Sequence, residues 1–113
     1  INVFGALGTS NVAKAKADIS TLESALEQYR LDNLTYPSTG DGLNALLAPP
    51  AGLAQPERYR VGGYIKKLPN DPWGQPYQYA APGRKGPFDI YSLGADKQTG
   101  GEGENADLYS SDL

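Results

Sequence analysis

Apolar residues at Val12, Ala15, Ile19, Leu22, Leu26 and Tyr29, spaced 3, 4, 3, 4 and 3 apart, commit one stretch of this chain to an amphipathic α-helix. The stretch from about Val12 to Asn33 contains no Gly or Pro, and Lys14, Lys16, Asp18, Glu23, Glu27 and Arg30 occupy the opposite face. Ser10 or Asn11 is placed to cap its start, and Asn33 followed by Pro37 supplies the stop. A helix with one apolar face needs a second layer to cover it. The rest of the sequence must therefore supply a sheet or more helix.

The chain has 113 residues, enough for one domain and one modest core. Fourteen glycines and nine prolines imply many turns and few long elements. Between Tyr36 and Ile65 that punctuation dominates: only Leu43 to Leu47, with Asp41 as a plausible cap, suggests a turn or two of helix. Leu53, Tyr59 and Tyr64 are the apolar anchors of this loop region. Beyond Gln75 the pattern turns to β. Tyr77 to Ala80 and Phe88 to Leu93 form two strands around the Pro82-Gly86 connection, and Asp107 to Ser110 offers a short third. In the second strand Phe88, Ile90 and Ser92 fall on one face, with Asp89, Tyr91 and Leu93 on the other. The predicted fold is α+β: a long N-terminal helix packed on a small C-terminal antiparallel sheet of about three strands. It forms a single domain with an N-terminal remnant (1–11), helix (12–34), loop region with a short helix (35–68), and sheet with an acidic loop (69–113).

Composition removes several kinds of chemistry. There is no Cys, His or Met, so thiol nucleophiles, imidazole bases, Cys/His metal sites and disulfides are excluded. Net charge is −3, and residues 96–113 carry five acids against one base while the remainder is nearly balanced. Such a chain lacks the basic footprint that nucleic acid demands. No run of 18 apolar residues is present. The sequence begins within the apolar run from Ile1 to Leu7, as expected of a mature or trimmed fragment, and that run offers a route to weak dimerisation of an otherwise monomeric fragment.

The most informative stretch runs from Leu93 to Asp107. Asp96, Glu102, Glu104, Asn105 and Asp107 share a loop with Gly100, Gly101 and Gly103. Left alone, the carboxylates repel and the glycines add chain entropy opposing order. A hard divalent cation would relieve both, and Ca²⁺ suits flexible oxygen shells better than Mg²⁺. An EF-hand register from Asp96 puts Gly101 at position 6 and Asp107 at position 12, but Gln98 and Gly100 occupy positions 3 and 5, so the loop is not an EF-hand. The alternative is a solvated acidic tail.

Asp71-Pro72-Trp73-Gly74 predicts a rigid corner in which Asp71 accepts backbone N–H groups and Trp73 packs beneath. A sugar-stacking platform of Trp73 with Tyr77 or Tyr79 is the competing role. Chemistry is left to carboxylates, hydroxyls or amines; paired carboxylates among Asp71, Asp89 and Asp96 are the obvious catalytic candidates, and a chain this small has little material for a cleft. The expectation is a non-enzymatic protein without catalytic or cofactor-binding residues.

The ordered motifs Leu31-Asp32-Asn33, Tyr36-Pro37-Ser38-Thr39, Gly63-Tyr64-Ile65-Lys66-Lys67-Leu68-Pro69, Asp71-Pro72-Trp73-Gly74, Gly86-Pro87-Phe88-Asp89-Ile90-Tyr91-Ser92-Leu93-Gly94-Ala95-Asp96 and Asn105-Ala106-Asp107 resemble those of a known family. It is that of the type IV pilin-like major pseudopilins of type II secretion systems. The similarity runs from about Val12 to Leu108. It implies the periplasmic part of an inner-membrane-anchored protein of Gram-negative bacteria, its leader removed by prepilin peptidase. Its implied partners are further copies of itself in a homopolymer, minor pseudopilins, and an inner-membrane assembly platform with its ATPase. The resemblance also implies a structural calcium ion, with Asp96 and Asp107 as acidic ligands and carbonyl ligands near Leu93 and Gln98. Many relatives carry an acid where this chain has Gly103, so Glu104, Asn105 or a water is expected to complete the shell. Relatives also commonly end in Ile-Gly-Asn-Trp after the final Asp, where this chain has Leu108 to Leu113. The nearest alternative is a minor pseudopilin or type IV pilus subunit.

Overall fold

The computed structural model describes residues 3–113. Helix α1 spans Val3–Asn33, and three antiparallel strands follow late in the chain: β1 (Gln78–Ala80), β2 (Asp89–Ser92) and β3 (Leu108–Tyr109). At 1.5 Å per residue the helix is about 46 Å long, close to the 55 Å longest dimension of the molecule. Ala15, Ile19, Leu22, Leu26 and Tyr29 are all buried, so the spacing read from the sequence gives the correct face. Val12, one turn earlier, is only partly covered.

The helix starts nine residues before the predicted Val12, and Ser10 and Asn11 lie inside it rather than capping it. Gly8 within the first turns costs helix stability of order 1 kcal/mol. It is nevertheless buried, with the Glu104 side chain against it, a contact that local propensity does not register. Most of the expected 1–11 remnant is thus helical from Val3 onward. Ile1 and Asn2 lie outside the described residues, and so does any contact made by the side chains of the 1–7 run. At the other end the stop at Asn33 is as expected. Leu34 turns left-handed (φ 67°) and donates its N–H to Arg30 O at 2.8 Å, and the Asn33 amide donates to Tyr29 O at 2.9 Å.

The sheet order is β1-β2-β3, with Tyr79 opposite Ile90 and Tyr91 opposite Tyr109. Ile90 faces α1 and is fully buried, while Tyr91 and Tyr109 stack on the other side at 4.7 Å between ring centroids. Asp89 departs from the predicted alternation, for it is 2% exposed. The connection between β1 and β2 folds back over it: Arg84 N–H donates to Asp89 Oδ2 at 3.0 Å, and the Arg84 guanidinium lies 3.6 Å from the same oxygen. The outer strands are short. Pro76 and Pro82 flank β1, and a 3-10 turn at Ser110–Asp112 closes β3.

The loop region packs its anchors as a ring cluster: Tyr29, Tyr59 and Tyr64 meet edge to face at 5.0–6.2 Å. Tyr59 donates to Ala45 O at 2.8 Å, tying in the 3-10 turn Leu43–Leu46. That turn is capped by Gly42, not Asp41, and no side chain bonds its N-terminus. Asp41 instead exchanges hydrogen bonds with Ser38.

Candidate functional site

The strand β2 delivers the chain to the acidic loop through a buried polar link. Asp71 is 5% exposed; its Oδ1 accepts the N–H groups of Trp73 (3.1 Å) and Gln75 (2.8 Å), as the Pro and Gly punctuation around it predicts. Its Oδ2 accepts the Ser92 hydroxyl at 2.8 Å, and Ser92 Oγ in turn accepts the Gly94 N–H at 3.1 Å. The corner around Trp73 and the first residue of the loop are therefore one hydrogen-bonded unit. Sequence reasoning placed Ser92 on the inner face, but its pairing with Asp71 lay beyond it.

At Gly94 (φ 81°) the loop passes so near its own return that a Cβ would come within 2.7 Å of Glu104 O and 2.8 Å of Ala106 O. Ala95 N–H donates to Glu104 O at 2.8 Å and closes the base of the loop. Gly101 (φ 95°) makes the second close approach, with a Cβ there falling 2.5 Å from Asn105 O.

The six residues expected at a metal are placed differently, Gln98 being exposed on the loop. Asp107 faces inward: Oδ2 accepts the Gly100 N–H at 3.1 Å across the loop, whereas Oδ1 is buried with no hydrogen-bond partner. Asp96 is exposed and caps its own turn, accepting the Gln98 N–H at 3.1 Å. Leu93 lies half-buried where β2 ends, and Asn105 is exposed in the Gly103–Asn105 turn with its backbone against Gly101. Glu104 leaves the group. Its Oε1 accepts the side-chain N–H groups of Asn11 and Trp73, both at 2.9 Å, and these bonds hold its carboxyl below the usual carboxylate range. The structure thus engages Glu104 Oε1 with the helix at Asn11 and with the corner at Trp73.

Among the described residues no three Asp or Glu side chains gather as a metal cluster. An ion here would rest on one or two carboxylates and on backbone carbonyls, which suits Ca²⁺. The buried, unpartnered Asp107 Oδ1 fits such an ion, since a charged oxygen buried without a partner pays its desolvation cost uncompensated.

Trp73 sits half-buried against the core, not wholly beneath the corner, because its indole N–H reaches out to Glu104. Tyr77 is buried and donates to Asp18 Oδ2 at 2.8 Å, and Tyr79 donates to Pro37 O at 2.7 Å. With Tyr77 and Tyr79 turned inward, Trp73 lacks the two ring partners expected for a sugar platform. Asp71 and Asp89 are both buried and each accepts backbone N–H, Asp71 from Trp73 and Gln75 and Asp89 Oδ2 from Arg84.

A long helix half-covered by a three-stranded antiparallel sheet, closed by a glycine-rich acidic loop, is a pilin-like architecture. Residues 2–111 match the model of the family described as type II secretion system (T2SS), protein G. The chain is 56% identical over 99 residues to the type II secretion system core protein G of Pseudomonas aeruginosa, covering 88% of this chain and 70% of that protein. Against the Vibrio cholerae protein of the same name identity is 51% over 107 residues, covering 95% and 73%. The crystal structure of the major pseudopilin from the type 2 secretion system of enterohaemorrhagic Escherichia coli superposes with a TM-score of 0.85 at 40% identity, covering 100% of this chain and 96% of that one. The chain belongs to the type II secretion system protein G family, that of the major pseudopilins, which are structural subunits of the pseudopilus.

Proposed function

We propose that this chain is the periplasmic part of an inner-membrane-anchored subunit that polymerises into the pseudopilus and supports export of folded proteins, with calcium pinning the 94–107 loop. Its partners are copies of itself, minor pseudopilins and an inner-membrane assembly platform, with prepilin peptidase acting upstream of the described residues. The observation that supports the assembly reading is the match of residues 2–111 to the type II secretion protein G family, together with α1, whose turns around Ala13, Lys14 and Lys16 are exposed. That exposed face of the helix is where other copies pack.

The ion supplies positive charge to Asp107 Oδ1. This chain's own part is to bring the loop back on itself at Gly94 and Gly101, and to hold Asp107 by Gly100 N–H. Asp96, with carbonyls near Leu93 and Gln98, completes the set. Binding to the folded form alone stabilises by about 2.7 kcal/mol at a hundredfold excess over Kd.

The test uses the full-length protein in a secretion-competent cell. Overproduction is expected to yield surface fibres, and deletion to halt exoprotein release. Normal release without the protein would overturn the assembly reading. Calcium titration of the purified domain is expected to raise Tm, and a Tm indifferent to calcium and chelator alike would overturn the ion.

A further inference from the structure

Glu104 holds two parts of the molecule together in a way that no ligand role explains. Its backbone carbonyl accepts Ala95 N–H at the base of the loop, one residue before Asp96. Its side chain bonds Asn11, 93 positions away on α1, and Trp73, 31 positions away on the corner. The helix provides a fitted seat: Gly8 is buried, and a Cβ there would lie 3.0 Å from Glu104 Oε2, so a larger residue would push the carboxylate away. Loop base, corner and helix thus converge on one residue. The corner itself is bonded to the loop's first residue through Asp71 and Ser92, which closes a ring of contacts.

We propose that Glu104 is a positioning residue, a strut that transmits the order of the 94–107 loop to the first half of α1. Its calcium-dependent part rests on the reading above. Ordering Asp107 and Gly100 fixes the return of the loop, and with it the Gly103–Asn105 turn that carries Glu104. The carboxylate then holds Asn11 and the helical turn around it. Gly8, Val12, Ala13 and Lys16 form one wall of an open groove, and Gly103 and Glu104 form the other, so the strut also sets the groove's width. That groove lies on the helix portion assigned above to subunit packing.

Hydrogen exchange resolved by residue, beside calcorimetric calcium binding, tests this on the purified domain. Calcium is expected to slow exchange about tenfold both in the loop and at helix amides 8–16 of the unaltered protein. In Glu104→Ala, calcium should still bind and protect the loop while the helix gain falls below about twofold; Glu104→Gln, which keeps an acceptor oxygen, should restore part of it. Loss of calcium binding in Glu104→Ala would overturn the strut by making Glu104 a ligand, and an undiminished helix gain would overturn it directly. If the unaltered protein binds no calcium, only the ion reading fails. The comparison without calcium then decides: faster helix exchange in Glu104→Ala supports the strut, and unchanged exchange overturns it.

Discussion

The helix–sheet core and the 94–107 loop lie side by side but are held by opposite means. In the core, Ile19, Leu22, Leu26, Leu46 and Ile90 are fully buried, and the contacts are apolar and redundant. Along the loop residues 96–103 are all exposed, and its shape depends on a few backbone bonds and on carboxylates. A core of this kind tolerates the loss of a polar partner elsewhere. The loop does not, because each bond fixes several glycines whose freedom opposes order.

That contrast can be broken from either side. Leu26→Ala should cost about 2–5 kcal/mol, with or without calcium, as measured by denaturant unfolding. A cost that vanished in calcium would mean that the core is not independent of the loop. Asp107→Ala should lose the calcium-dependent gain, about 2.7 kcal/mol at a hundredfold excess over Kd, and, with the acceptor of the Gly100 N–H gone, should also lower the calcium-free Tm slightly. A variant gaining as much from calcium as the unaltered domain would remove Asp107 from the ligands. Asp71→Ala deprives two N–H groups and the Ser92 hydroxyl of their acceptor and should cost about 1–3 kcal/mol. Because Asp71 joins the two regions, its loss should also weaken calcium affinity in a titration, and an unchanged affinity would show the regions to be separate.

The smallest effect is one of pH. Glu104 has its carboxyl lowered from 4.5 by the Asn11 and Trp73 bonds, so the folded form holds that proton less tightly than the unfolded form. Its contribution is therefore present above 4.5 and lost as pH falls through the lower folded value. Acid titration of Trp73 fluorescence should show a step below 4.5 that Glu104→Gln lacks. Tyr59 gives the core's counterpart: burial, with Tyr64 and Tyr29 adding to it, pushes its hydroxyl up to about 12 from 10. That contribution is complete below pH 10 and fades as pH rises toward 12, visible in tyrosinate absorbance.

What could be read from the sequence follows the same division. The stripe from Ala15 to Tyr29 and the three strands were legible because periodicity is local, and so was Asp71 as an acceptor, since Pro72 and Gly74 mark a turn. The true start of α1 was not, because Gly8, Thr9, Ser10 and Asn11 look like a cap cluster, and what keeps them helical includes Glu104 from the far end of the chain. Asp89 looked solvent-facing until Arg84 folded over it. At the loop, charge and glycine content located the acids but not their directions. Nothing within ten residues of Glu104 distinguishes it from Asp107, yet one turns to the helix and the other inward.

The brevity of the outer strands bears on how such a subunit multiplies. β1 offers three residues and β3 two, with prolines beside the first and a tight turn after the second. Open sheet margins invite indiscriminate cross-β stacking, which crowded copies of a polymerising protein would be prone to. Here those margins give a neighbour almost nothing to template on. On the reading proposed above, growth is left to the helix, where side chains rather than backbone decide which copy joins and in what orientation.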